Sequence, residues 1–154
     1  MTKQNSKMKK LESPEDVAFM LQSITTDQFA ILDERIIPTE DLELRTDQSF
    51  GIHAENHTIG VFPKFTFTQN SMPVMLIEIG CHFLLKPEHW DKMKNQDGNI
   101  LVPKFVMRHM AIIAVGTARG VLHAKTEGSV LNEFVLPTIN VTELIDEDIM
   151  ILEG

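Results

Sequence analysis

Three regimes of apolar and polar positions divide the chain. Residues 1–12 are polar and lysine-rich without periodicity, which predicts a disordered leader ahead of a single domain over 13–154. Ser13-Pro14-Glu15-Asp16 reads as an N-cap serine, a proline at the first helical position and acids in the first turn. Val17, Phe19, Met20 and Ile24 follow, and the spacing predicts a helix over Pro14–Ser23. From Phe29 to Leu85 the period shortens towards two, which predicts strands separated by polar turns. The first runs from Phe29 to Ile37 and ends at Pro38, a strand or strand pair covers Ser49–His53 and Thr58–Thr68, and Pro73–Leu85 is rich in Val, Ile, Leu and Phe. Phe65-Thr66-Phe67-Thr68 alternates, Pro63 marks a bulge or an edge, and Gln69-Asn70-Ser71 is turn material. The sum is a meandering antiparallel sheet.

Beyond Lys86, Pro87 and Glu88 open a short helical turn through Met93, and Asn95–Asn99 is a loop. Pro103 opens the strongest helix, which runs to about Thr126 ahead of Gly128. Gly116, Gly120 and Ala124 recur every four residues on it, a stripe of small side chains expected to let another backbone pack closely. The last segment starts extended at Phe134, turns at Pro137, and offers Asn140 or Thr142 as the N-cap of a short helix before an acidic end. Strands followed by a long helix make an α+β class.

At 154 residues the chain is long enough to bury about two-thirds of its unfolded surface. Cys81 is the single cysteine and sits inside an apolar run, so no internal disulfide forms and a reducing cytoplasm fits. The longest apolar stretches, Pro73–Leu85 and Met110–Val115, fall short of the roughly 20 residues of a membrane span. Leu11–Phe19 carries Glu12, Glu15 and Asp16 where a signal peptide needs an apolar core, which argues against secretion. A formal net charge of −8 argues against nucleic-acid partners and favours basic ones.

Catalytic and cofactor chemistry find little support. His53 and His57 are four apart but in a strand or turn, and His82 and His89 lie seven apart across an element boundary, so no metal site is expected. Cys81 and His82 are adjacent, and neighbours in a strand point to opposite faces, so they do not form a dyad. Gly116-x-x-x-Gly120 lies within a helix without the Gly-Lys-Ser/Thr ending of a phosphate loop. No cofactor and no enzymatic activity follow. Nine methionines, with Phe62, Phe65, Phe67, Met75 and Phe105 among the large apolar residues, suggest a groove that accepts varied peptides, although composition alone favours core.

Asn99-Ile-Leu-Val-Pro-Lys-Phe, the long helix ending near Thr117-Ala118-Arg119-Gly120, and Leu136-Pro-Thr-Ile-Asn-Val resemble, in that order, the SecB family of export chaperones. Pro73-Val-Met-Leu76-Ile-Glu78 resembles the Leu-x-Glu strand of that family, and Arg35-Ile36 the start of its first strand. The resemblance implies a four-stranded antiparallel sheet packed with a long C-terminal helix, assembled as a homodimer or homotetramer. It implies an ATP-independent holdase for unfolded, export-bound polypeptides that passes clients to the SecA motor. Leu76 and Glu78 are then partner-binding candidates, with Glu40, Asp41 and Glu43 matched more loosely. The stretch Asp146–Glu153 departs from the family's glutamine-rich acidic tail, so the alternative is a dedicated interaction module on the same fold, such as a chaperone serving a toxin–antitoxin pair.

Overall fold

The computed structural model describes residues 17–32, 37, 41–134 and 136–153. Its centre is a four-stranded antiparallel sheet in the order β1-β4-β3-β2, built from β1 (Phe19–Ile31), β2 (Glu43–His53), β3 (Thr58–Gln69) and β4 (Met72–Leu85). Alternation decides which face is buried. On β3, Ile59, Val61, Phe65 and Phe67 point inward, and on β4 Met75, Ile77, Ile79, Cys81, Phe83 and Leu85 do the same, all of them buried. The β3–β4 hairpin turns through Asn70 and Ser71, both with positive φ, as a tight turn between right-twisted strands demands.

α1 (Pro87–Met93) follows β4 directly, and α2 (Lys104–Thr126) lies across the inner face of β3 and β4. Val106, Met107, Met110, Ala111, Ala114, Ala118 and Leu122 recur at three- and four-residue intervals and form the buried stripe of α2. By length and composition α2 is the one described helix apolar enough to cross a membrane, yet that buried stripe is core. Gly128, with φ of 81°, takes the left-handed position after the helix end. A two-stranded ribbon of β5 (Ile100–Val102) and β6 (Ile149–Ile151), together with α3 (Val141–Leu144), returns the chain to the start of α2. There Asp148 accepts the backbone N–H of Lys104 at 2.8 Å, satisfying a donor that Pro103 at the N-cap cannot. Asn140 caps α3 by accepting from Glu143 N–H, as one of its two expected capping residues.

Several expectations change. Phe19–Ser23, expected in a helix, is the start of β1; pairing with β4 from Phe19 opposite Leu85 onward outweighs the local capping signal, whose own residues 14–16 lie outside the described residues. β1 therefore ends at Ile31, where the expected first strand was to be beginning. Arg35 and Ile36 lie outside the described residues. Pro63 sits in the central strand β3, at neither an edge nor a bulge. It faces Gln48 on β2, while the ladder to β4 opens between Val61 opposite Cys81 and Lys64 opposite Glu78 without losing register, so its missing N–H breaks no bond there. The β5–β6 ribbon had no counterpart in the sequence reading.

Candidate interaction surface

The outer face of the sheet carries the partner-binding candidates. Leu76 and Glu78 point outward from β4 and are half-buried, with Glu78 opposite Lys64 on β3 and Gln28 on β1. Glu43 opens β2 on the same face, opposite Thr68, and is exposed; Asp41 precedes it in exposed coil, and Glu40 lies outside the described residues. The structure thus brings Leu76, Glu78 and Glu43 onto one surface.

The expected peptide groove is corrected. Phe65, Phe67 and Met75 are inward and buried, so they belong to the core. Phe62 points outward, while Phe105 is half-buried on the first turn of α2, on the other side of the sheet, so these two share no groove. Phe62 has its own arrangement. A Cβ added at Gly60 would stand 2.6 Å from its Cζ, and one at Gly51 3.6 Å from its Cε2, so the ring lies flat over strand glycines. His82 meets it edge-on at 5.5 Å and holds Thr25 Oγ1 at 3.2 Å, while the adjacent Cys81 points into the core. Burial pushes the Cys81 thiol pKa above its usual 9.0, against a smaller opposing effect of a hydrogen bond with Thr117, which keeps it protonated and inert.

Among the described residues the flank between β1 and α2 is left open. The inward residues of β1 follow from their partners: Phe19 opposite Leu85, Leu21 opposite Phe83, Ile24 opposite Cys81, Thr26 opposite Ile79, Phe29 opposite Ile77 and Ile31 opposite Met75. Phe19 is partly covered, by Phe83 and His109 at ring separations of 5.5 and 5.1 Å. Beyond it the cover from the described residues lapses, and Ile24 is 50% exposed on what is elsewhere the core face, before Phe29 packs on the core again. Along α2 the facing stripe holds His109, Ile112, Gly116, Gly120 and Ala124, all exposed and without a formal charge. Ile112 is 58% exposed, and a Cβ at Gly116 or Gly120 would meet nothing within 4 Å. The small-residue stripe was expected to pack against a backbone of this domain; within the described residues it packs against none. The helix's arginines are engaged elsewhere: Arg119 donates to the carbonyls of Leu136 and Pro137, and Arg108 to those of Thr142 and Ile145. Among the described residues β1 is also an edge strand, paired only with β4.

At the Phe19 end of β1, where the outward-facing Met20 pairs with Leu84 of β4, lies an open cavity of about 560 Å³. Its walls are Ala18, Phe19 and Met20 at the start of β1, His57 from the β2–β3 turn, Leu84 and Leu85 at the end of β4, and Lys86 and Pro87 at the start of α1. Polar contacts set these walls. Leu85 N–H donates to the His57 carbonyl at 2.9 Å, and Ala18 N–H donates to His89 Nδ1 at 3.0 Å. His57 holds a left-handed backbone, φ 51°, with its ring 5.5 Å from that of Trp90. No spacing in the sequence signalled this cavity or the open flank, because Phe19–Ile24 read as a helix face.

Comparison with known proteins gives one kind of answer. No protein-family model and no curated protein matches the chain. Among solved structures, the chain is similar to the SecB-like chaperone Rv1957 of Mycobacterium tuberculosis, solved in complex with a ChAD peptide from the HigA1 antitoxin. The two share 12% identity and a TM-score of 0.52, over 79% of this chain and 90% of that one. The four-stranded antiparallel sheet with its long helix is therefore a SecB-like fold, reached by a divergent sequence.

Proposed function

We propose that this chain is an ATP-independent, non-enzymatic chaperone of the cytoplasm, a holdase that binds unfolded segments of other polypeptides and works as a homodimer or homotetramer. The open flank carries the reading. A sheet face that is core over β3 and β4 continues onto β1 with little cover from the described residues, beside a charge-free helix stripe, and contiguous apolar surface of this kind marks interaction sites. Glycines on the stripe admit close approach of a second copy, and the free edge of β1 offers a row of strand hydrogen bonds to it. Clients engage the apolar surface that remains, where Leu21 and Ile24 are exposed. Leu76, Glu78 and Glu43 provide an outer surface for a partner such as SecA, with Asp41 and Glu40 as further candidates from the sequence.

A second reading is a dedicated module for one partner. The antitoxin peptide bound by the structural neighbour favours it, with a toxin–antitoxin component as the client. Light scattering on the purified chain, alone and with a reduced, unfolding model protein, separates the two. Suppressed aggregation without nucleotide, by a dimer or tetramer, supports the holdase. An oligomer that leaves aggregation untouched supports the dedicated module, and a monomer without effect overturns both.

A further inference from the structure

The cavity beside the start of β1 combines apolar walls with one exposed cation. Ala18, Met20, Leu84 and Pro87 present carbon, whereas Lys86 lines the same space and its ammonium has no ion pair or hydrogen bond among the described residues. In a chain of net charge −8, an unpaired lysine at an apolar cavity is locally the reverse of the global field. Its size falls in the range of small-ligand and anchor pockets, and its shape is set before binding by the His57–Leu85 and Ala18–His89 hydrogen bonds. The left-handed His57 adds a strained backbone at the wall, the kind of departure that persists where surrounding contacts over-determine it.

From this we infer that the cavity is an anchor subsite for a client segment, taking one large apolar side chain whose chain neighbour is acidic, with its carboxylate meeting Lys86. The inference rests on the peptide-binding reading and gives it a local sequence preference. Apolar burial supplies the affinity, and the lysine supplies the discrimination. The ammonium is exposed, so its contribution is that of a surface pair.

The test uses fluorescence anisotropy with two labelled eight-residue Ser/Gly peptides, one carrying Phe-Asp and the other Phe-Lys at the centre. The wild-type chain should prefer Phe-Asp by about 2–5-fold, the size of an exposed ion pair. K86E should invert that order. A18W, at an exposed position, fills the cavity and should weaken both peptides by about tenfold or more, the loss of a buried phenyl ring, with an unchanged Tm. An unaltered preference in K86E, or unaltered affinity in A18W, overturns the subsite; if aggregation is still suppressed, the chaperone reading survives it. Two further results overturn it in favour of another occupant: A18W lowering the native mass, which assigns the cavity to a second copy, and decanoate binding that needs the open cavity while neither peptide binds. Wild-type chain that binds neither peptide and suppresses no aggregation overturns both readings.

Discussion

At the scale of single residues, buried polarity and glycine placement decide most of what can be tested. Both side-chain amide atoms of Gln48 are buried with no hydrogen-bond partner among the described residues, on the inward face opposite Pro63. An unpaired buried amide costs about 1–3 kcal/mol, so Gln48→Leu is expected to raise stability by about that amount in urea melts, and a fall would show that the amide has a partner in the assembly. Gly60 makes the opposite case. Gly60→Ala places a methyl against the Phe62 ring and should cost about 1–3 kcal/mol, whereas the double variant Gly60→Ala with Phe62→Ala should recover part of that loss. Cys81 gives a pH dependence. Its folded-state pKa lies above the usual 9.0, so the native state holds the thiol proton more tightly than the unfolded chain does. Its stabilising effect is complete below about pH 9 and is lost as pH rises through the folded value; alkaline melts of wild type and Cys81→Ala should converge there if this is right. None of these three roles was visible in the sequence. A glutamine in an alternating run reads as a solvent position, and a strand glycine says nothing of which ring crosses it.

At the scale of elements, the parts legible in advance were those whose own residues decide them. α2 begins after Pro103 and ends before Gly128 because backbone chemistry permits little else, and β3 and β4 alternate strongly enough to set their own faces. β1 was missed because Ser13-Pro14-Glu15-Asp16 and the spacing of Phe19, Met20 and Ile24 imitate a helix start, while the partner that makes a strand, β4, lies far along the chain, with Phe19 opposite Leu85 and Ile31 opposite Met75. The fate of the glycine stripe was missed for a related reason: four-residue spacing shows that small residues share a line, not what faces the line. With nothing within 4 Å, Gly116→Ala and Gly120→Ala should each stabilise the helix by up to about 1 kcal/mol through propensity alone. Gly116→Leu should leave the fold intact yet lower the native mass measured by light scattering, because a bulky side chain obstructs close approach of a second helix. A sharp fall in Tm with unchanged mass would instead place the stripe inside the domain.

At the scale of the whole molecule, the core explains the fold and the missing cover suggests the use. Core face and candidate surface are one sheet face, covered over β3 and β4 by α2 and only partly covered over β1 by the described residues, so the candidate site is the part of the hydrophobic layer that those residues leave unfinished. Sequence periodicity finds the layer but not its limit, which is why the Phe and Met residues that looked like a groove turned out to be mostly its covered part. Charge acts over a longer range. A molecule of net charge −8 attracts basic segments from a distance, whereas Lys86 acts only on a residue already at the cavity. The two effects separate by salt. Between about 0.05 and 0.5 M ionic strength the Debye length shrinks from about 14 Å to about 4 Å, so association with a basic unfolded client should slow severalfold in stopped-flow measurements. Dissociation, governed by apolar burial, should change little. If salt accelerates dissociation as much as it slows association, close ion pairs rather than the open flank hold the client, and the acidic outer surface around Glu78 and Glu43 becomes the place where clients bind.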